Sequence, residues 1–237
     1  MPYRRLPNTD EARIRSLKRA IERQEIGNIH DLAFSLKTLH EAKVFLLAFE
    51  RARLNYKQAF QMQVNANKKY QKLVKQAKLY ISHFVQVLNL CVIRKEIKPE
   101  SKRLYGLEPD NFAVPDMVSD TSVLEWGEKI IEGEQNRLSK GGAPIYNPTI
   151  AKVRVHYDLF KDAYREQKVH QQNTSRTLEV LSGLRQQGDT IIVDIWNQVE
   201  EVFQDREPEE RLEKCKAYGI IYYYRRGEKR YVTEPVG

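Results

Sequence analysis

The chain has 237 residues, 30% of them charged and 41% hydrophobic, with 40 Lys and Arg against 32 Asp and Glu for a formal net charge of +8. That is enough for one or two domains with a proper core, and it suits a helical protein with long exposed faces. The longest apolar run, FVQVLNLCVI at 84–93, falls short of the roughly 20 residues a membrane-spanning helix needs and is interrupted by Gln86 and Asn89. Cys91 and Cys215, the two cysteines, form neither a disulfide framework nor a metal-ligand spacing, so a reducing cytoplasm is the expected setting.

The opening MPYRRLPNTDEAR has cations but no apolar segment behind them, and no secretory leader is expected. Thr9 followed by Asp10 and Glu11 predicts a capped, acidic first turn for a short amphipathic helix over 9–24. Between Leu36 and Lys98 there is neither glycine nor proline. Apolar residues there recur at alternating steps of three and four, from Leu39, Ala42, Leu46 and Phe49 to Phe84, Leu88 and Cys91. Such a heptad register predicts one long helix burying a narrow stripe, roughly 80–90 Å if it never bends. Residues 106–121, with two prolines and four acidic residues, read as an irregular linker.

A second short amphipathic segment follows at 121–138, then the turn GGAPIYNP at 141–148. Asn147 and Pro148 are expected to start the next helix as cap and first residue. A second stripe then runs from Ile150, Val153, Tyr157 and Phe160 to Ile195, Val199 and Val202. Gly188-Asp189 has the chemistry of a helix break. The stripe nevertheless passes Gly188 without slipping, which favours a continuous or kinked helix.

The second stripe lies 111 residues after the first. Phe49 matches Phe160, Ala52 matches Ala163, and Lys57 matches Lys168. KRLYGL (102–107) matches KAYGI (216–220) after a shift of two. These coincidences suggest two diverged copies of a short-helix, long-helix unit, 1–105 and 122–219, packed as one domain. The alternative is that any two long amphipathic helices share a heptad. Both stripes turn polar midway, at Arg53, Gln63 and Asn67 and at Gln167, Gln171 and Thr174. A register-specifying polar layer is favoured over a buried polar site or water-filled pocket.

Charge divides between the copies. Residues 36–105 hold 15 Lys and Arg against 4 Asp and Glu, and residues 106–213 hold 12 against 21. Either the opposite fields decide which faces meet, or the basic copy faces an outside polyanion. Lys68, Lys69, Lys72 and Lys75 lie off the heptad seam, where a cationic stripe meets phosphates or is simply solvated.

The tail GIIYYYRRGEKRYV predicts a β-hairpin over 220–233, turning at Arg225–Glu228 and returning over Lys229–Thr233. Alternation puts Ile221 and Tyr223 on one side and Ile220, Tyr222 and Tyr224 on the other. A lone two-stranded hairpin is marginal in water, so it is expected to rest on an open end of the bundle. Tyr222, Tyr224, Arg225, Arg226, Lys229 and Arg230 also have the make-up of a stacking surface for single-stranded nucleic acid.

No phosphate-cradling glycine motif is present. Glu166 and His170 stand at i, i+4 with no second carboxylate–histidine pair to complete a di-metal site. The five histidines are dispersed, and a dyad is not argued from His156 and Asp158 alone. No catalytic, metal or cofactor residue is therefore expected. The segments RRLPNTDEARIRSLK, NANKKYQ, EWGEKII, GGAPIYNPTIA and YGIIYYYR together resemble a group of helical proteins from Bacteroidetes-type bacteria with no established activity. The resemblance implies a cytoplasmic bacterial setting and carries over no functional residue.

The expected fold is all-α, an elongated up-down helical bundle of two tandem repeats with a small C-terminal β-hairpin. The expected function is a non-enzymatic interaction or scaffolding protein that binds a protein partner or itself, without a cofactor or membrane. The alternative is nucleic-acid binding through the basic first copy and the tail. A third reading, an enzyme with a site in the polar mid-bundle, has no motif to support it.

Overall fold

The computed structural model describes residues 2–26 and 32–226. The fold is all-α with one small antiparallel strand pair. In chain order come β1 (Tyr3–Arg4), α1 (Asp10–Ile26), α2 (Leu36–Ile93), a 3₁₀ helix (Pro99–Tyr105), α3 (Asp120–Ser139), α4 (Ile150–Val202), α5 (Pro208–Ala217) and β2 (Tyr222–Tyr223).

The first four α-helices each start where a hydroxyl reaches the free amides of the first turn, whereas α5 begins on Pro208 with no side-chain cap. Thr9 Oγ1 accepts from the Ala12 amide at 3.2 Å, Ser35 Oγ from Thr38 at 3.1 Å, and Ser119 Oγ from Ser122 at 3.0 Å. At α4 the cap is Thr149, whose Oγ1 accepts from the Lys152 amide at 3.3 Å. Asn147 and Pro148 therefore precede the helix rather than begin it, because Thr149 is the residue within reach of the first-turn amides. α4 runs through Gly188 unbroken.

The chain forms two compact units, each assembled from both halves of the sequence. Unit 1 comprises residues 1–59 and 174–237, so it contains α1, the first part of α2, the last part of α4, α5 and the strand pair. Its core gathers Leu17, Phe49, Ile192, Ile195, Trp196, Cys215 and Ile220. Here α2 and α4 run antiparallel: the Ser35 amide donates to Gln198 Oε1 at 2.8 Å, and Thr38 Oγ1 donates to Asp194 at 3.1 Å. About two turns further in, Phe45 lies against Gly188. A Cβ on Gly188 would stand 3.0 Å from the Phe45 ring, so here the glycine serves close packing and does not end the helix.

α1 is fastened to α4 beside that contact by alternating charges. Asp10 takes two hydrogen bonds of 2.8 Å from Arg185, and Arg13 donates to both oxygens of Asp189 at 2.8 and 2.9 Å. Bidentate pairing of this kind holds geometry as well as charge. The hydrogen bond from Arg185 keeps the Asp10 carboxyl below the usual carboxylate range.

The strand pair joins the two ends of the described chain. Tyr3 faces Tyr223 and Arg4 faces Tyr222, with a further 3.1 Å bond from the Arg5 amide to the Ile221 carbonyl. Of the expected first arm, Ile220–Tyr224, Tyr222 and Tyr223 thus pair with the N-terminal strand, while the expected return arm 229–233 lies outside the described residues. Ile220 is buried in the unit 1 core and Tyr222 Oη donates to Glu200 at 2.7 Å. One face of this short ribbon therefore rests on the helices, as a marginal two-stranded element requires.

Unit 2 is residues 60–173. The last part of α2 and the first part of α4 are antiparallel here too. Tyr70 stacks with Phe160 and Tyr80 with His156, with ring centroids 6.2 and 3.9 Å apart. α3 lies against them through glycine: a Cβ on Gly127 would fall 2.3 Å from the Tyr157 ring, and one on Gly133 would fall 2.6 Å from Tyr105. The linker has no regular structure, yet side chains hold its carbonyls. Lys102, fully buried, donates to Asn111 O at 2.6 Å with Pro109 O at 3.4 Å. Asn89 donates to Phe112 O, and Lys78 to Val118 O, each at 3.0 Å.

The two Tyr-Gly segments adopt the same stop. Gly106 and Gly219 have φ of 72° and 85°. The amide after each reaches back five residues, Leu107 to Lys102 O at 3.1 Å and Ile220 to Cys215 O at 3.3 Å. This is the glycine C-terminal motif in which a left-handed residue lets the next amide satisfy a terminal carbonyl.

Substituting Gly127 with alanine should cost about 1–3 kcal/mol by overpacking against buried Tyr157. The same change at Gly183, where a Cβ meets nothing within 4 Å, should gain up to about 1 kcal/mol from helix propensity. Urea denaturation of both variants reads the contrast. For Asp10, whose folded carboxyl is lowered, the stabilisation is present above the unfolded value of about 3.9 and is lost as pH falls through the lower folded value. Asp10→Asn should therefore be less stable than the native chain at pH 7, with the gap closing as pH falls through the lowered folded value.

Candidate functional site

The residues singled out by sequence do not converge on one catalytic constellation. Lys68, Lys69, Lys72 and Lys75 all lie on the exposed side of α2 in unit 2. No ion pair engages any of the four among the described residues, whereas Lys78 is tied to the linker. Regrouping the chain into units evens out its charge: unit 1 holds 22 Lys and Arg against 19 Asp and Glu, and unit 2 holds 18 against 13. In unit 1 the pairs Arg13–Asp189 and Arg4–Glu200 join cations at the front of the chain to carboxylates of its later half, and Arg185–Asp10 pairs the two in the opposite sense.

The polar mid-stripe is only partly buried. Gln167 and Thr174 are buried, Arg53 and Gln63 are half-buried, and Asn67 and Gln171 are exposed. Arg53 is paired with Glu11, and Gln167 Nε2 reaches Asn67 at 3.5 Å. The layer expected from sequence is thus confined to Gln167 and Thr174. The reason is visible along the helices: α2 has no buried residue from 60 to 69, and Thr174 alone is buried in α4 from 168 to 180. The unit boundaries at 59/60 and 173/174 fall in these stretches.

At the tail, Tyr222 and Tyr224 are half-buried, and Arg225 and Arg226 are exposed. Lys229 and Arg230 lie outside the described residues. The outward face of the ribbon belongs instead to Tyr3 and Tyr223, whose rings are 6.1 Å apart. Arg5 lies over Tyr223 at 5.7 Å and Arg225 over Tyr3 at 5.9 Å, so these rings already carry guanidinium partners.

Sequence reasoning missed two features. The first is a row of exposed apolar side chains on α2 in unit 1. Leu36, Val44, Leu47 and Leu54 are 59%, 55%, 71% and 53% exposed, and their spacing keeps them on one face opposite the buried stripe. The heptad stripe accounts for the seam positions alone, and these three leucines and one valine occupy the remaining ones. The second is a buried polar cluster in unit 2. Glu134 takes bonds of 2.9 and 2.8 Å from Arg137 Nε and Nη2 and is hydrogen-bonded by the Tyr105 hydroxyl. Arg137 also donates to Ala143 O at 2.6 Å. Val123, Gly127, Ile130, Glu134 and Arg137 occupy the buried face of α3, so a polar pair at steps of four and three in that stripe was the legible signal.

Of this cluster, Arg137 lines a groove of about 840 Å³ between the end of α2, the 3₁₀ helix and the loop 140–147. Apolar Val87, Ile97, Leu104 and Ile145 and the cations Arg94, Lys98 and Lys140 also line it. Cys91 is at its wall, and burial pushes its thiol up, away from the thiolate form a nucleophile needs. Among the described residues no group of three or more His, Cys, Asp and Glu is placed to hold a metal ion, and no helix is long and apolar enough to cross a membrane.

Removing one member of the buried ion pair leaves the other charge uncompensated. Arg137→Leu should cost about 3–5 kcal/mol, and Arg137→Leu with Glu134→Leu should recover much of that loss, as read by a denaturation double-mutant cycle. No protein-family model, no curated protein and no solved structure matches the chain.

Proposed function

We propose that the protein is a non-enzymatic interaction module that associates through the outer face of α2, a second copy of the chain being its partner. The carrying observation is the exposed row Leu36, Val44, Leu47 and Leu54 in unit 1. A single exposed leucine is ordinary, but several along one helix face form the kind of patch that marks an interaction site. An amphipathic helix docks on such a surface through anchors at these spacings. The neighbouring groove lined by Val44, Phe45, Ala48 and Leu184 gives an opposing side chain somewhere to insert.

The seam of α2 and α4 within each unit reads as an antiparallel coiled coil, and we infer that the chain consists of two tandem copies. Gln24 at the end of α1 donates to Phe34 O at 2.7 Å and accepts from the Ala33 amide at 3.2 Å. At the corresponding end of α3, Arg137 donates to Ala143 O and Glu134 accepts from the Ile145 amide at 3.4 Å. The same loop is fastened by different chemistry in each half, and both halves end on the Tyr-Gly stop. A cytoplasmic, reducing location suits the two free, buried cysteines.

A second reading rests on Lys68, Lys69, Lys72 and Lys75, which are exposed and unpaired among the described residues and so are available to phosphates. Light-scattering mass measured across protein concentration should rise toward a dimer, and Leu47→Glu with Leu54→Glu should hold the protein at monomer mass. A mass fixed at one chain throughout overturns the first reading. Binding to single-stranded DNA that weakens steeply with salt, and is lost on reversing the four lysines to glutamate, would establish the second.

A further inference from the structure

We propose that the groove of unit 2 binds a small organic anion, its oxyanion head on Arg137 and its apolar body against Val87, Ile97, Leu104 and Ile145. The volume of about 840 Å³ lies within the range of small-molecule sites, which pair a mostly apolar lining with a few placed polar groups.

The head-group position follows from the bonds Arg137 makes. Its side chain is 7% exposed and lines the groove. Nε is bonded to Glu134 and to the Tyr105 hydroxyl, and Nη2 to Glu134 and Ala143 O. Nη1 takes part in no hydrogen bond among the described residues. Nη1 is not shut away from solvent and belongs to a residue that lines the groove, so a bound oxyanion can accept from it. Glu134, bonded on its other side to Tyr105 and the Ile145 amide, holds the fork in place.

Gly142 is what leaves Nη1 accessible, since a Cβ there would lie 2.6 Å from that atom. The rim adds charge of the same sign. Lys98 and Lys140 are exposed and enter no ion pair among the described residues, while Arg94 is paired with Glu96 at 3.1 Å. Of the four cations on the lining, Arg94 is paired with Glu96 and Arg137 with Glu134, so Lys98 and Lys140 carry the uncompensated positive charge. An anion is therefore favoured over a cation or a neutral molecule, and the apolar wall favours one with a hydrocarbon part over a bare inorganic ion.

A carboxylate and a phosphate monoester meet these requirements equally, so the test uses both. Octanoate and octyl phosphate, titrated by calorimetry below their micelle concentrations, should bind at one saturable site. Octanol and inorganic phosphate should bind at least tenfold more weakly. The stronger of the two anions identifies the head group. Methyl resonances of Val87, Leu104 and Ile145 should shift with the same saturation curve. Lys98→Glu with Lys140→Glu, both at exposed positions, should weaken binding about tenfold, the effect expected of two modest charge contacts. Gly142→Val, which crowds Nη1, should weaken it further, with circular dichroism checking that the fold persists. Absence of saturable binding by either anion, octanol binding as well as octanoate, or unchanged affinity in the lysine double variant would each overturn the proposal.

Discussion

Two helices of 58 and 53 residues, each with an apolar stripe on one side, can hide those stripes only against other helices, and everything else in the protein is arranged around that need. A narrow a/d seam is too thin to form a core by itself. In unit 1 the shortfall is met by α1, α5 and the strand ribbon, and in unit 2 by α3, the 3₁₀ helix and the linker. Between the two sets the stripes lose their apolar character, and the protein has two hydrophobic cores instead of one.

The supporting pieces are held by polar devices more than by regular structure. α1 is set against α4 by paired arginine–aspartate forks, and the linker is held by three side chains that each donate to a carbonyl. Burying Lys102 is expensive unless its ammonium is solvated by the protein. The linker carbonyls at 109 and 111 supply that solvation, and the Phe112 ring lies 4.3 Å from Nζ. The cluster of Tyr105, Glu134 and Arg137 plays the same part for the loop 140–147, through Ala143 O and the Ile145 amide. It orients a guanidinium that would otherwise be free to swing, and so gives the neighbouring groove a fixed polar end.

Much of the architecture could be read from residues. The heptad spacing and the absence of glycine and proline located α2, and the unslipped register at Gly188 located α4 as one helix. Thr9 identified the start of α1. Other features depended on tertiary neighbours. Gly188 looks like a terminator in sequence, and only Phe45 across the unit explains it as a space for a ring. Thr149 rather than Asn147 caps α4, a choice made by which hydroxyl reaches the first-turn amides. Tyr222 and Tyr223 have strand character, yet nothing local says that their partner is Tyr3–Arg4 at the far end of the chain. The candidate site was the least legible part. Its groove is built from two separated stretches, 87–104 and 137–147, and the guanidinium that ends it has room only because residue 142 lacks a side chain.

Unit 2 is one uninterrupted stretch of chain, whereas unit 1 needs both ends. On a ribosome the middle of the protein can therefore close its core while residues 174 onward are still unmade, and the first 59 residues must wait for them. Joining pieces so distant in sequence carries the larger loop-closure penalty, but a middle already folded shortens the effective loop. The order of synthesis thus turns the more contiguous unit into a template, and it leaves α1 and the buried face of the first part of α2 as the last surfaces to acquire their neighbours.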